Sequence, residues 1–237
     1  MAGVGARSGG GERQGCRHTG PIALATSRMG VGARAPDGRT ATLMDLKLFA
    51  TFIDVESWKY FAPGVKWMRA NGLTYGTRPG LFEPMNEMNR AQMATFLHRF
   101  MDAPPPTDPA PFVDIDPGSY YETAVDWLYG TGITTGTTAT TYGGVEPVSR
   151  AQMATFLWRL CGQQSAPRGP FVDVPRTAYY TRAVDWLYAM GVTTGKGPQH
   201  FVPDDPVTRG QMATFLYRLA TTPAAWTVTR PPSVVDV

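Results

Sequence analysis

Ser149-Arg150-Ala151-Gln152-Met153-Ala154-Thr155-Phe156-Leu157 decides the fold, because the chain writes this stretch three times. It stands earlier as Asn89-Arg90-Ala91-Gln92-Met93-Ala94-Thr95-Phe96-Leu97 and later as Thr208-Arg209-Gly210-Gln211-Met212-Ala213-Thr214-Phe215-Leu216. The first residue is of a type favoured at a helix N-cap, and the Gln three positions on completes a capping box. Met153, Phe156, Leu157 and Leu160 then fall at i, i+3, i+4 and i+7, the stripe of a helix buried on one face. Arg159 lies in the last turn, where a cation suits the helix dipole.

Working outward, residues 52–100, 112–160 and 171–219 align without a gap, and sixteen of the 49 columns are identical in all three. A first helix is predicted to begin near Tyr60, Tyr120 or Tyr179. In the second copy Tyr121, Val125 and Leu128 mark its apolar stripe. Gly72, Gly132 and Gly191 stand where a left-handed C-terminal cap wants glycine. Gly76, Gly136 and Gly195 mark a turn four residues later, not a phosphate loop.

The expected fold is therefore all-α: three tandem helix-loop-helix repeats, 51–110, 111–169 and 170–220, packed as a pseudo-threefold bundle. Two helices of about 11 residues cannot bury their apolar faces alone, so the copies must pack on one another. The short connectors 101–111 and 161–170 carry prolines, which should hold neighbouring copies in a fixed relation. Residues 1–50, rich in Gly, Arg and Ala, read as a disordered or mis-assigned N-terminal segment. Residues 221–237 read as a flexible tail.

Composition excludes several function classes. Residues 1–50 hold seven Lys/Arg against three Asp/Glu, leaving fifteen against sixteen in the rest. The repeats thus lack the basic stripe that nucleic acid requires. No stretch approaches the ~20 apolar residues of a membrane span, and no clear signal peptide is present. Cys16 and Cys161 share no motif, and nothing in their spacing supports a disulfide. His18, His98 and His200 occupy no repeated position, and no catalytic triad, carboxylate pair or metal-ligand cluster appears. The expectation is a protein that is not an enzyme, with no cofactor and no metal.

Several identical columns admit two roles. Arg90, Arg150 and Arg209 would sit at the positive end of a helix dipole, where a cation costs a few tenths to ~1 kcal/mol and asks for a compensating anion. That anion is either Asp54, Asp114 or Asp173, or a carboxylate on a ligand that a guanidinium can grip with two hydrogen bonds. The aspartates order the turn before the first helix or touch the ligand. Trp67, Trp127 and Trp186 are core or stack on a ligand. Tyr60, Tyr120 and Tyr179 can cover the core and still show a hydroxyl.

In the third copy, Phe171-Val172-Asp173-Val174, Tyr179, Ala183-Val184, Gly191-Val192-Thr193-Thr194-Gly195, Phe201-Val202-Pro203 and Val207-Thr208-Arg209-Gly210-Gln211 together resemble the S-layer homology domain. The Gln-Met-Ala-Thr-Phe-Leu ending is similar to the actinobacterial variety. The resemblance implies a three-pronged bundle at the cell surface or cell wall of an exported bacterial protein. It implies binding of secondary cell-wall polysaccharide, often pyruvylated, in grooves between adjacent copies. Carried over, the ligand residues are Arg90, Arg150 and Arg209, with Gln92, Gln152 and Gln211 where the family has Glu. Gly76, Gly136, Gly195, Tyr60, Tyr120 and Tyr179 match too; the tyrosines stand where the family usually has Trp. Asp54, Asp114, Asp173 and the three tryptophans are secondary candidates. The loops after the second glycine differ from the family and from each other, the first copy has Met88-Asn89 in place of Val-Thr, and the second has Gly144 in place of Pro. The competing expectation is a structural or protein–protein interaction scaffold that has lost the sugar site. Oligomeric state is not legible.

Overall fold

The computed structural model describes residues 52–222, so the readings of 1–50 and of the tail beyond Thr222 lie outside the described residues. Six helices follow one another: α1 Ala62–Ala70, α2 Arg90–Phe100, α3 Glu122–Gly130, α4 Arg150–Leu160, α5 Thr181–Ala189 and α6 Arg209–Thr221. Among the described residues the only β pairing is isolated bridges, so the class is all-α.

The local signals act as the sequence predicts. Asn89, Ser149 and Thr208 each accept the backbone N–H of the Gln three residues on, and the Gln side chain returns the bond to the cap. Gly72, Gly132 and Gly191 have φ of +70°, +74° and +69°. The next residues, Leu73, Ile133 and Val192, donate back to Met68, Leu128 and Leu187, and all three are buried. This is the Schellman closure with its hydrophobic contact. The first helices start two residues later than expected: a turn precedes each, with Ala62, Glu122 and Thr181 donating to Lys59, Ser119 and Ala178.

The copies meet in a cycle. α1 packs on α6, α3 on α2 and α5 on α4, so each first helix lies against the second helix of the preceding copy. Met88 donates its N–H to Val207, Val207 to Val148 and Val148 to Met88, each at 2.8 Å, so three equivalent peptides close a ring. Leu97, Leu157 and Leu216 lie fully buried in one continuous core. Each such side chain contributes about 1.5–3 kcal/mol relative to leaving it in water.

The connectors are docked, not loose. Asp126 accepts the Ala110 N–H at 2.8 Å and Asp185 accepts that of Gly169 at 3.0 Å. The first copy carries Lys66 in that column. Cys161 is buried; Cys16 lies outside the described residues.

Candidate functional site

Each second helix opens on an arginine whose side chain turns into the next copy. Arg90 Nε donates to the carbonyl of Tyr142, Arg150 Nε to that of Phe201 and Arg209 Nε to that of Phe82, all at 2.7 Å. The guanidiniums lie 4.6–4.7 Å from the ring centroids of those same residues, and 5.4–5.7 Å from those of Phe156, Phe215 and Phe96. The arginines are 3%, 3% and 5% exposed. Two aromatic faces and a carbonyl thus supply the negative potential that the helix start does not.

The ion pair with Asp54, Asp114 or Asp173 does not form: among the described residues, none of the three arginines has a carboxylate within 4 Å. The aspartates have another task. Asp54 accepts the N–H groups of Phe82 and Glu83 at 2.9 and 2.6 Å, Asp114 those of Tyr142 and Gly143 at 2.7 Å, and Asp173 those of Phe201 and Val202 at 2.9 and 2.7 Å. They therefore brace a loop 28 residues on, not the turn before the first helix. Glu83 and Val202 sit there at φ +56°, a strained conformation that the carboxylate clamp holds. The braced peptide presents its carbonyl to the arginine of the preceding copy. Aspartate and arginine are joined through one peptide instead of through a salt bridge.

Electrostatics agree. Burial works to raise the Asp114 and Asp173 carboxyls, but the backbone N–H donors outweigh it and hold both below the usual range. Burial pushes the Arg150 and Arg209 guanidiniums down, with nearby acidic groups pulling the other way. The Nη2 atoms of Arg90 and Arg150 are buried with no partner.

The tyrosines face water: Tyr60, Tyr120 and Tyr179 are 59%, 66% and 64% exposed. Partial burial raises the Tyr60 phenol, while the side chains of Thr208 and Gln211 and the charge of Arg150 lower it. Tyr60 of the first copy therefore lies by the capping box of the third and within the field of an arginine from the second. Tyr179 similarly feels Arg90. Gln92, Gln152 and Gln211 are half-buried in their capping boxes. Between the first two copies, Glu87, Met88, Asn89, Val145 and Pro147 line a shallow depression of about 250 Å³.

Other candidates are occupied by the fold. Gly76, Gly136 and Gly195 have φ of +89°, +82° and +78°, and a Cβ on any of them would run into Phe52, Phe112 or Phe171 and into loop carbonyls. Trp186 is fully buried, Trp67 packs on Phe100 and Tyr217, and Trp127 on His98, which is the core role. The clasp formed by Phe82, Tyr142 and Phe201 has only one sequence signal, a column that is aromatic in all three copies. Tyr142 adds a bond of its own, its buried hydroxyl donating to the Arg90 carbonyl at 2.8 Å. Among the described residues no group of three metal-ligating side chains occurs, and no helix is long and apolar enough to cross a membrane.

Helix pairs that complete one another across seams, with an exposed tyrosine before each first helix, define a repeat-built module. Its family follows from comparison: the S-layer homology domain matches at residues 51–94, 111–154 and 170–213, and the chain belongs to that family of cell-wall anchoring modules. It is 31% identical over 114 residues to a cell surface protein of Thermoanaerobacter kivui, covering 46% of this chain and 15% of that one. It is 34% identical over 109 residues to an endoglucanase of Bacillus sp. (strain KSM-635), covering 46% and 11%. The S-layer protein sap of Bacillus anthracis matches at 25% over 173 residues, covering 70% and 21%. The chain thus spans about a tenth to a fifth of the length of these relatives.

Proposed function

We propose that the three copies form a pseudo-threefold bundle and that this bundle is a noncatalytic cell-wall-binding module. It holds an exported bacterial protein at the cell surface by taking secondary cell-wall polysaccharide into the grooves between copies. The cycle through Met88, Val148 and Val207 supports the symmetry. The observation that carries the binding role is the tyrosine column. Tyr60, Tyr120 and Tyr179 are identical in the three copies yet lie mostly in water. A ring that adds little to the core yet recurs before every first helix, with a polar tip for a wet contact, suits a partner outside the chain.

The proposed ligand residues are Tyr60, Tyr120 and Tyr179 with Gln92, Gln152 and Gln211, above Arg90, Arg150 and Arg209. Phenol rings suit the apolar faces of sugars, and side-chain amides suit hydroxyls. The arginines, almost fully buried, supply a positive field beneath, which favours an anionic sugar such as one carrying a pyruvate ketal. Gly76, Gly136 and Gly195 shape the loop, and Asp54, Asp114 and Asp173 hold the arginines' acceptors. The scaffold reading predicts arginines tied to protein carboxylates with no open groove beside them; the arginines are indeed buried, but their partners are carbonyls and rings of the next copy.

Sedimentation of the full chain with purified wall polysaccharide tests the proposal. The intact chain should bind, and replacing Tyr60, Tyr120 and Tyr179 together by Ala should abolish binding while leaving the melting midpoint nearly unchanged. Failure of the intact chain to bind any wall fraction would leave the scaffold reading.

A further inference from the structure

The three seams are alike in plan but not in closeness. Two of them join copies that the chain also links, through 101–111 and 161–170. The seam between the third and first copies, α6 against α1, has no such link. Its partners lie far apart in sequence: Arg209 Nε meets the Phe82 carbonyl 127 residues away, and Arg209 and Gly210 donate their N–H groups to Asn86 and Pro84.

At this seam the side chains are pared down. A Cβ on Gly64 would lie 2.5 Å from the Ala213 carbonyl oxygen, and one on Gly210 would lie 2.9 Å from the Phe61 ring and 3.0 Å from the Pro84 oxygen. At the linked seams the same columns hold Ala124 and Ala183 in place of Gly64, and Ala91 and Ala151 in place of Gly210, all buried. Phe61, 4% exposed, sinks deeper than its counterparts Tyr121 and Tyr180, which are half-buried. α1 therefore approaches α6 by the room of a methyl more than the other pairs can.

We infer that this seam is the latch that closes the ring, and that its other partner is the same seam of a second copy of this chain. A linked seam cannot part far, because its two copies remain on a short tether. The unlinked seam can swing wide, with a linked seam turning on its tether as the hinge, and once open it exposes the α1 face at one end and the α6 face at the other. These surfaces are complementary, so two opened chains can exchange copies and bury the same residues between molecules. Close packing at the two glycines takes over the work of the missing tether and keeps the chain closed on itself.

The experiment uses the full chain and needs no ligand. Gly64→Ala and the milder Gly210→Ala, where the obstacle is largely a side-chain ring, each put a methyl into the latch. Ala124→Val and Ala183→Val put comparable bulk into the linked seams. All four should lower the melting midpoint by about 5 °C. After brief warming to partial unfolding and cooling, light scattering coupled to size exclusion should show dimer for the two glycine variants and monomer for the two alanine variants. Equal dimer from all four, or monomer from both glycine variants, would overturn the latch.

Discussion

The guanidinium of Arg209 lies 4.7 Å over the ring of Phe82 and donates to the carbonyl of that same residue, so a single side chain of the third copy grips the first by face and by backbone. Asp54 holds the other side of that peptide by accepting the Glu83 N–H. Arg90 with Tyr142 and Arg150 with Phe201 repeat the arrangement, and the three grips run in one direction around the ring.

Truncating one grip should loosen the whole ring. In Arg150→Ala, the Phe201 carbonyl loses its buried donor and two rings lose a cation, which together cost about 2–4 kcal/mol. Thermal melting followed by circular dichroism should show one cooperative transition lowered by about 5–15 °C. Arg150→Lys should recover little, since an ammonium lacks the planar face that meets the Phe201 and Phe215 rings while Nε bonds the carbonyl. A variant that melts with the parent would mean that the arginine does not hold the seam.

Much of this fold could be read directly. The capping boxes at Asn89, Ser149 and Thr208, the apolar stripes behind them and the glycine stops are relations within one turn of chain, and a single sequence displays such relations. The destinations of Asp54 and Arg209 are different in kind. An aspartate in a Phe-x-Asp motif suggests a local turn, and nothing in its neighbourhood points 28 residues ahead. Arg90, Arg150 and Arg209 were legible as cations needing compensation, but their partners sit in another copy, where periodicity is silent. The site was legible as columns, and the pairing of columns across seams had to come from the structure.

The caps offer a smaller and more local test. Ser149→Ala removes the acceptor of the Gln152 N–H and breaks the reciprocal box, costing about 1 kcal/mol. Asn89→Ala and Thr208→Ala should behave alike, each lowering the midpoint by about 2–4 °C. A loss several times larger at one cap would show that its residue holds the neighbouring copy as well as its own helix.

Two glycine columns share positive φ and should still respond differently. Gly132 and Gly191 have open space where a Cβ would go, so Ala there meets only the left-handed backbone penalty, about 1–2 kcal/mol. Gly136 has the Phe112 ring and the carbonyl oxygens of Thr138 and Thr141 each 2.5 Å from that point. Gly136→Ala must therefore displace the loop that carries Tyr142, and with it the Arg90 acceptor. Denaturant unfolding should show Gly132→Ala mildly weakened and Gly136→Ala weakened by about 3 kcal/mol or more. Similar losses in both would remove the steric argument.

Acid should loosen the same loops. In the folded chain Asp114 and Asp173 are held below the usual carboxyl range, because backbone N–H groups favour the charged form more strongly than burial opposes it. A carboxyl with a lower pKa folded than unfolded binds fewer protons in the folded chain, so stability rises with pH across the interval between the two values. The stabilisation is complete above the unfolded value of about 3.9 and is lost as pH falls through the folded one. Melting midpoints should accordingly hold steady from neutral pH down to about 5 and then decline. Asp114→Asn combined with Asp173→Asn should be less stable at neutral pH and should flatten that decline, since the amide does not titrate. A double variant that retained the full acid slope would assign the loss to other carboxylates.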